Sequence, residues 1–185
     1  MKNVLFKRMV MLIIMTVAVS AVTIAQEKGD KAIGANLVIG SGDSFTNYGL
    51  GAKFLYNVTD PVRLAAEFDY FLKKDGITMW DASVYGHYLI PLTEKFTLYP
   101  SAGLGLINTK ASNGQAINES LGELGNILGI AVSEDGSTSS SDFVFSLGGG
   151  AEYELTDNLA LNGEFRYKIK DGSRINIALG IAYKF

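Results

Sequence analysis

The sequence predicts an all-β fold: an eight-stranded, antiparallel, up-and-down transmembrane β-barrel with one long extracellular loop that has room for a short helix. Three observations carry this. Eight runs alternate apolar and polar residues with a period of two, the spacing at which a strand sends successive side chains to opposite faces. Aromatic residues on the apolar parity gather near the two ends of those runs, with Leu, Ile, Val, Ala and Gly between them, the pattern of rings seated at two lipid interfaces. The last run, Arg174 to Phe185, puts Ile175, Ile177, Leu179, Ile181, Tyr183 and Phe185 on one face and closes on an aromatic residue.

Taken in order, the chain begins with Lys2, Lys7 and Arg8, an apolar stretch from Met9 to Val19, and the small-residue exit Thr23-Ile24-Ala25. That is the layout of a cleaved secretory signal over residues 1–25; a membrane-anchoring helix is the alternative, because Met9 to Ala25 lies at the lower edge of spanning length. Residues 26–31 then form a short periplasmic lead-in and 32–185 the barrel. Removing three bases and no acids takes the net charge from −3 to −6. That sign disfavours nucleic acid, whose partners carry a basic footprint. The chain has no cysteine, so neither disulfides nor thiolate metal ligation contribute.

The first run, Ala32 to Gly40, sets Ile33, Ala35, Leu37 and Ile39 against Gly34, Asn36, Val38 and Gly40. In the second, Asn47 to Val58, Tyr48, Leu50, Ala52, Phe54 and Tyr56 oppose Gly49, Gly51, Lys53, Leu55 and Asn57, and Thr59-Asp60-Pro61 turns the chain. The third, Val62 to Lys73, opposes Leu64, Ala66, Phe68, Tyr70 and Leu72 to Arg63, Ala65, Glu67, Asp69 and Phe71, before the tight Lys74-Asp75-Gly76. The fourth, Met79 to Ile90, sends Trp80, Ala82, Val84 and Tyr88 away from Asp81, Ser83, Tyr85 and His87. The fifth, Phe96 to Ile107, contains Pro100, which removes a ladder donor and predicts a bulge or break there. The sixth and seventh, Asp142 to Leu155 and Leu159 to Lys170, flank the turn Thr156-Asp157-Asn158. Each run is long enough for a tilted membrane strand.

An eight-stranded barrel is just wide enough to be filled by its own side chains, so the inward parity decides whether anything passes. It carries a charge network of Lys53, Arg63, Glu67, Asp69, Asp81, Glu152, Glu164 and Arg166, joined by Lys73, Lys168, Lys170, Arg174, Lys184 and Glu154 nearer the ends. Buried charges need partners, and counting from the Thr59-Asp60 turn places Lys53 opposite or diagonal to Glu67. The expectation is a lumen plugged by ion pairs, with a narrow ion path as the alternative. His87 shares a face with Asp81, Ser83 and Tyr85, but same-face neighbours lie about 6 to 7 Å apart along a strand, which argues against a catalytic triad. No second histidine exists to support a metal site. No catalytic residue, cofactor or metal is therefore assigned.

The stretch 108–141 is the third outer loop. Within it Ile117, Leu121, Leu124 and Leu128 recur at helical spacing, weakened by Gly122, Gly125 and Gly129. A short amphipathic helix over the barrel mouth or on the outer leaflet and a disordered loop are equally compatible with it.

The terminal Ile181-Ala182-Tyr183-Lys184-Phe185 and the segment Tyr99-Pro100-Ser101-Ala102-Gly103-Leu104-Gly105 resemble the eight-stranded outer-membrane barrels of the OmpA transmembrane-domain and OmpX type, the outer membrane protein beta-barrel domain family. The likeness covers nearly the whole chain after residue 25. It implies the outer membrane of a diderm, Gram-negative bacterium and outer-membrane lipid as the surrounding partner. It also implies recognition of Ile181, Tyr183 and Phe185 as an assembly signal by the barrel-assembly machinery. Unlike OmpA, no peptidoglycan-binding segment follows Phe185, and the protruding outer strands of OmpX have no counterpart around Lys74-Asp75-Gly76. The function expected is non-enzymatic, in envelope structure or in surface contacts through residues 108–141. A narrow, low-conductance porin-like channel is the alternative, and a secreted soluble ligand-binding barrel, with its apolar face turned inward, is a second one.

Overall fold

A computed structural model describes residues 27–42, 46–74, 76–112, 137–170 and 172–185; the expected signal segment, residues 1–25, lies outside them. Eight long strands follow: β1 Lys31–Ser41, β2 Thr46–Thr59, β3 Val62–Lys74, β4 Ile77–Tyr88, β5 Phe96–Ser112, β6 Ser137–Thr156, β7 Leu159–Ile169 and β8 Arg174–Lys184. Each pairs antiparallel with the next, and β8 pairs with β1 to close the sheet. Closure leaves no edge strand exposed in the membrane, where an unpaired peptide group has no water to bond. At the β3–β4 turn Gly76 has φ 79°, a left-handed conformation that other residues rarely adopt.

The registers fix the barrel's dimensions. A hydrogen-bonded row leaves β4 at Asp81 and passes through Asp69, Gly51, Asn36, Gly180, Asn162, Glu152 and Thr97; it returns to the same chain segment at Pro91, ten residues further along. With ~3.3 Å per residue and ~4.8 Å between strands, a shear of ten over eight strands gives a tilt of about 41° and a backbone radius of about 8 Å. Such a cylinder holds side chains and little else.

The alternating faces fall as the pattern requires. Leu179 on the outside is 65% exposed, while Lys168 on the inside is 0% exposed. The apolar belt is the outer surface, and the polar parity fills the interior. This overturns the soluble ligand-binding barrel, which needs the opposite arrangement. Tyr48, Tyr70, Phe143, Phe145 and Tyr167 are exposed toward one rim, and Tyr56, Tyr88, Tyr153, Tyr183 and Phe185 toward the other. Trp80 stacks on Phe68 with ring centroids 5.9 Å apart.

Three expectations change in detail. The break predicted at Pro100 does not interrupt β5, whose register with β6 runs unshifted from Phe96 to Ser112. The lapse falls instead on the β4 side, where pairing with β5 stops at His87 and resumes at Ile90–Pro91 in the same register. Leu89 donates its N–H to the carbonyl of Pro61, in the turn just before β3, so the peptide groups of Tyr88 point to β5, where Pro100 has no N–H to offer. Second, residues 108–112 and 137–141 are not loop; Asn108 pairs with Ser141 and the ladder continues to Ser112 and Ser137. Their Ser, Thr and Asn side chains lack apolar alternation, so period alone could not show this strand. The helix candidates Ile117, Leu121, Leu124 and Leu128 lie outside the described residues. Third, the lead-in ends at Asp30, since Lys31 is already in β1. It folds back on the inner end of β2, with Gly29 N–H donating to Asn57 O and Lys28 N–H to Asp60 Oδ1.

Candidate functional site

The polar parity of all eight strands converges in the lumen. From the inner end outward, Arg63 on β3 donates to Glu152 on β6 at 2.9 Å and from Nε to His87 Nδ1 at 3.4 Å, with its guanidinium 4.9 Å from the Tyr99 ring centroid. His87 stacks on Tyr99 at 4.7 Å. In the next layer Lys53 on β2 donates to Glu164 on β7 at 2.7 Å and to Asn162 at 2.6 Å, and the Tyr99 hydroxyl donates to Glu164 at 2.9 Å. Arg166 on β7 lies 2.5 Å from Glu67 and 3.8 Å from Asp69 on β3, contacts Glu164, and sits 4.6 Å from the Tyr85 ring. Further out, Lys168 pairs with Asp81, which also accepts from Ser83 Oγ at 2.6 Å. The ion pairs between Arg63 and Glu152, Lys53 and Glu164, Arg166 and Glu67, and Lys168 and Asp81 each join strands that are not ladder neighbours. They are struts across the lumen rather than cross-strand pairs on one wall.

All eight charges assigned to the lumen from sequence are therefore buried and in contact with one another through this mesh. The partner of Lys53 differs from the one expected: Lys53 and Glu67 are register partners on β2 and β3, yet each reaches across to β7. Ser83 and Asp81 also touch, with Ser83 Oγ donating to Asp81 Oδ1 at 2.6 Å, although their spacing along the strand argues against direct contact. His87 takes no part in that pair; its Nδ1 accepts from Arg63. At the mouths, Lys184 pairs with Glu154 and Lys170 with Asp142 at 2.8 Å, and Lys73 is exposed.

Two features went unread in the sequence. Each of the three lumen arginines lies over an aromatic ring, Arg63 on Tyr99, Arg166 on Tyr85 and Arg174 on Phe71, an attraction that strengthens where water is excluded. The signal was present, since all three rings are on the inward parity. Nearer the outer end, Val38, Phe71, Met79, Ile107, Val144 and Ala178 form a buried apolar cluster inside the barrel. Glycines make the crowding possible: a side chain at Gly103 would strike Tyr85, and one at Gly150 would strike Tyr99. At the inner end, Phe185 donates its N–H to Lys31 O at 2.9 Å, and Ile181, Tyr183 and Phe185 face outward, exposed, beside the strand closure.

A closed eight-stranded barrel with a lipid-compatible exterior, two aromatic girdles and a charged interior defines an integral outer-membrane protein. The chain belongs to the outer membrane protein beta-barrel domain family, whose pattern it matches over residues 9–185. It is 31% identical over 94 residues to outer membrane protein PagN of Salmonella typhimurium, a match that spans 51% of this chain and 35% of PagN. Among solved structures it is similar to Ail, the attachment invasion locus protein of Yersinia pestis, with a TM-score of 0.56 at 19% identity, covering 85% of this chain and 99% of Ail. It is likewise similar to Neisserial surface protein A, with a TM-score of 0.59 at 14% identity, covering 84% and 96%. Ail has also been crystallised with the heparin analogue sucrose octasulfate. At these identities the solved structures establish the fold.

Proposed function

We propose that this barrel is a non-enzymatic envelope protein with a plugged lumen, acting as a rigid anchor for surface contacts made through its outer segments. The observation that carries the reading is the set of four cross-lumen ion pairs, none with a side chain more than 4% exposed. They occupy the width that a permeant ion would need. The apolar cluster of Val38, Phe71, Met79, Ile107, Val144 and Ala178, with Arg174 over Phe71, fills the lumen further out.

The contact surface is the β5–β6 hairpin, which continues through 108–112 and 137–141, together with residues 113–136 that it carries. The outer connections and the strand ends beside them contain Asp43, Asp75, Glu119, Glu123, Glu134, Asp135, Asp142 and Asp171 against Lys73, Lys74, Lys110 and Lys170. This excess of acids disfavours a polyanion such as the one bound to Ail and favours a neutral or basic partner. Assembly through Ile181, Tyr183 and Phe185 by the barrel-assembly machinery belongs to the same proposal.

Planar-bilayer recording of the purified barrel tests the plug. Silence is expected from the wild type at moderate voltage, and a reproducible conductance altered by Arg166→Ala or Glu67→Gln would replace the plug with a narrow channel.

A further inference from the structure

Five cations and five carboxylates are buried among the described residues: Lys53, Arg63, Arg166, Lys168 and Arg174 against Glu67, Asp69, Asp81, Glu152 and Glu164. Four of the cations have a carboxylate within 4.0 Å. Arg174 has none among the described residues, although it is only 4% exposed. Its Nε donates to Asn176 Oδ1 at 3.1 Å, its Nη1 reaches Met79 Sδ at 2.9 Å, and the guanidinium lies 4.5 Å from the Phe71 ring centroid. Its Nη2 has no acceptor, and neither does Asn176 Nδ2, whose own oxygen is already taken by Arg174. Ser146 Oγ is a further buried group without a partner.

The registers gather these groups on one wall at the outer end. Ser146, Lys168 and Arg174 lie on a single row across β6, β7 and β8. Asn176 faces Gly40, and the guanidinium lies in the space that a side chain at Gly40 would fill. Lys168 and Arg174 are thus cross-strand neighbours of like charge, an arrangement that destabilises unless it is neutralised. The two carboxylates that act on Arg174 from beyond contact distance are engaged elsewhere, Asp81 by Lys168 and Ser83 and Asp69 by Arg166. A buried cation without a counter-charge is costly, and a donor buried without an acceptor adds to that cost. Water would satisfy the donors but leave the charge.

We propose that the outer end of the lumen binds a small monovalent anion of the chloride class. Arg174 Nη2, lying against Gly40, and Nδ2 of Asn176, the register partner of Gly40, are its donors. The neighbouring Phe71 and Met79 make a wall that suits a monatomic, modestly hydrated anion better than phosphate or sulfate. The inference stands apart from the plug, since it rests on the charge balance at one end of the barrel whether or not anything passes through.

The test is thermal unfolding of the detergent-purified, folded barrel in sodium chloride, sodium bromide and sodium gluconate at equal ionic strength, with bromide anomalous diffraction from crystals. A ligand that binds only the folded state raises Tm with concentration. The expected result is a Tm several degrees higher in chloride and bromide than in gluconate, with bromide scattering beside Arg174 and Asn176. Arg174→Met and Asn176→Leu should each remove the difference between salts, and Arg174→Lys should keep part of it; if Arg174→Met fails to fold, Asn176→Leu carries the test. Equal Tm in the three salts for the wild type overturns the proposal. So does a halide shift that survives Asn176→Leu, or bromide found only at exposed lysines such as Lys110.

Discussion

Lys53 and Glu67 stand opposite each other on the β2–β3 ladder, yet Lys53 gives its ammonium to Glu164 at 2.7 Å while Glu67 meets Arg166 at 2.5 Å. Two opposite charges on neighbouring strands thus turn to the far wall. The reason lies in the span of the lumen: a long cation and a glutamate together bridge it, and in doing so they bring Glu164 between Lys53 and Arg166.

A double-mutant cycle distinguishes the two pairings. Groups in direct contact couple by roughly 0.5–3 kcal/mol, so Lys53→Met combined with Glu164→Gln should show a coupling toward the upper part of that range. Lys53→Met combined with Glu67→Gln should show a clearly smaller one, transmitted only through Arg166 and Glu164. Equilibrium unfolding in detergent or lipid measures both, and equal couplings would mean that the register pair is the working one.

Arg166 is the hub, touching Glu67, Asp69 and Glu164 and lying over Tyr85. Removing it leaves Glu67 and Asp69 buried without a cation in contact among the described residues, while Glu164 keeps Lys53. Arg166→Met should therefore cost about 3–5 kcal/mol, as expected when one partner of a buried ion pair is lost. Lys170→Met, which breaks the half-exposed contact with Asp142 at the mouth, should cost about 1 kcal/mol or less. Chemical-denaturant midpoints on the same sample set check the contrast.

The faces of the barrel were legible in the sequence because a strand's period of two needs no tertiary information. Parity placed Lys53, Glu67, Glu164 and Arg166 inside and Leu37, Leu179 and Phe143 outside. Partnership was not legible, since an inward side chain can reach any of the other walls, and the choice depends on a shear of ten that is a property of the closed sheet. Residues 108–112 and 137–141 carry no strand signal for the opposite reason. They pair through the backbone ladder and through Asn108, whose side-chain amide donates to the Ser139 and Ser141 hydroxyls, and their side chains carry no apolar signal. By parity Arg174 is one inward charge among many, and that no carboxylate of the described residues lies within 4.0 Å of it emerges only from the assembled barrel.

The outer belt should respond to charge by depth. Leu179 lies at the middle of β8 and Ile175 one residue from its outer end. Leu179→Arg is expected to cost about 2–4 kcal/mol in a lipid bilayer, and Ile175→Arg about 0–1 kcal/mol. Folding titrations into vesicles of defined thickness measure both, and equal costs would be incompatible with lipid covering the middle of this face.

Pro100 offers a test of the ladder itself. The lapse between the pairs His87–Ser101 and Ile90–Leu98 follows from one missing donor opposite Tyr88, not from a distorted strand. Pro100→Ala restores that N–H without changing the register, and the new bond should contribute about 0.5–1.5 kcal/mol. Loss of proline's restraint on the unfolded chain removes about 0.4–1 kcal/mol, so the net change in stability is small and makes a poor readout. Amide exchange is the better one. The residue introduced at position 100 should have a protected N–H, as slow to exchange as its β5 neighbours, and Leu89 should keep its bond to Pro61. Rapid exchange at position 100 in an otherwise protected β5 would mean that the gap is built by the turn that follows β4 rather than by the proline.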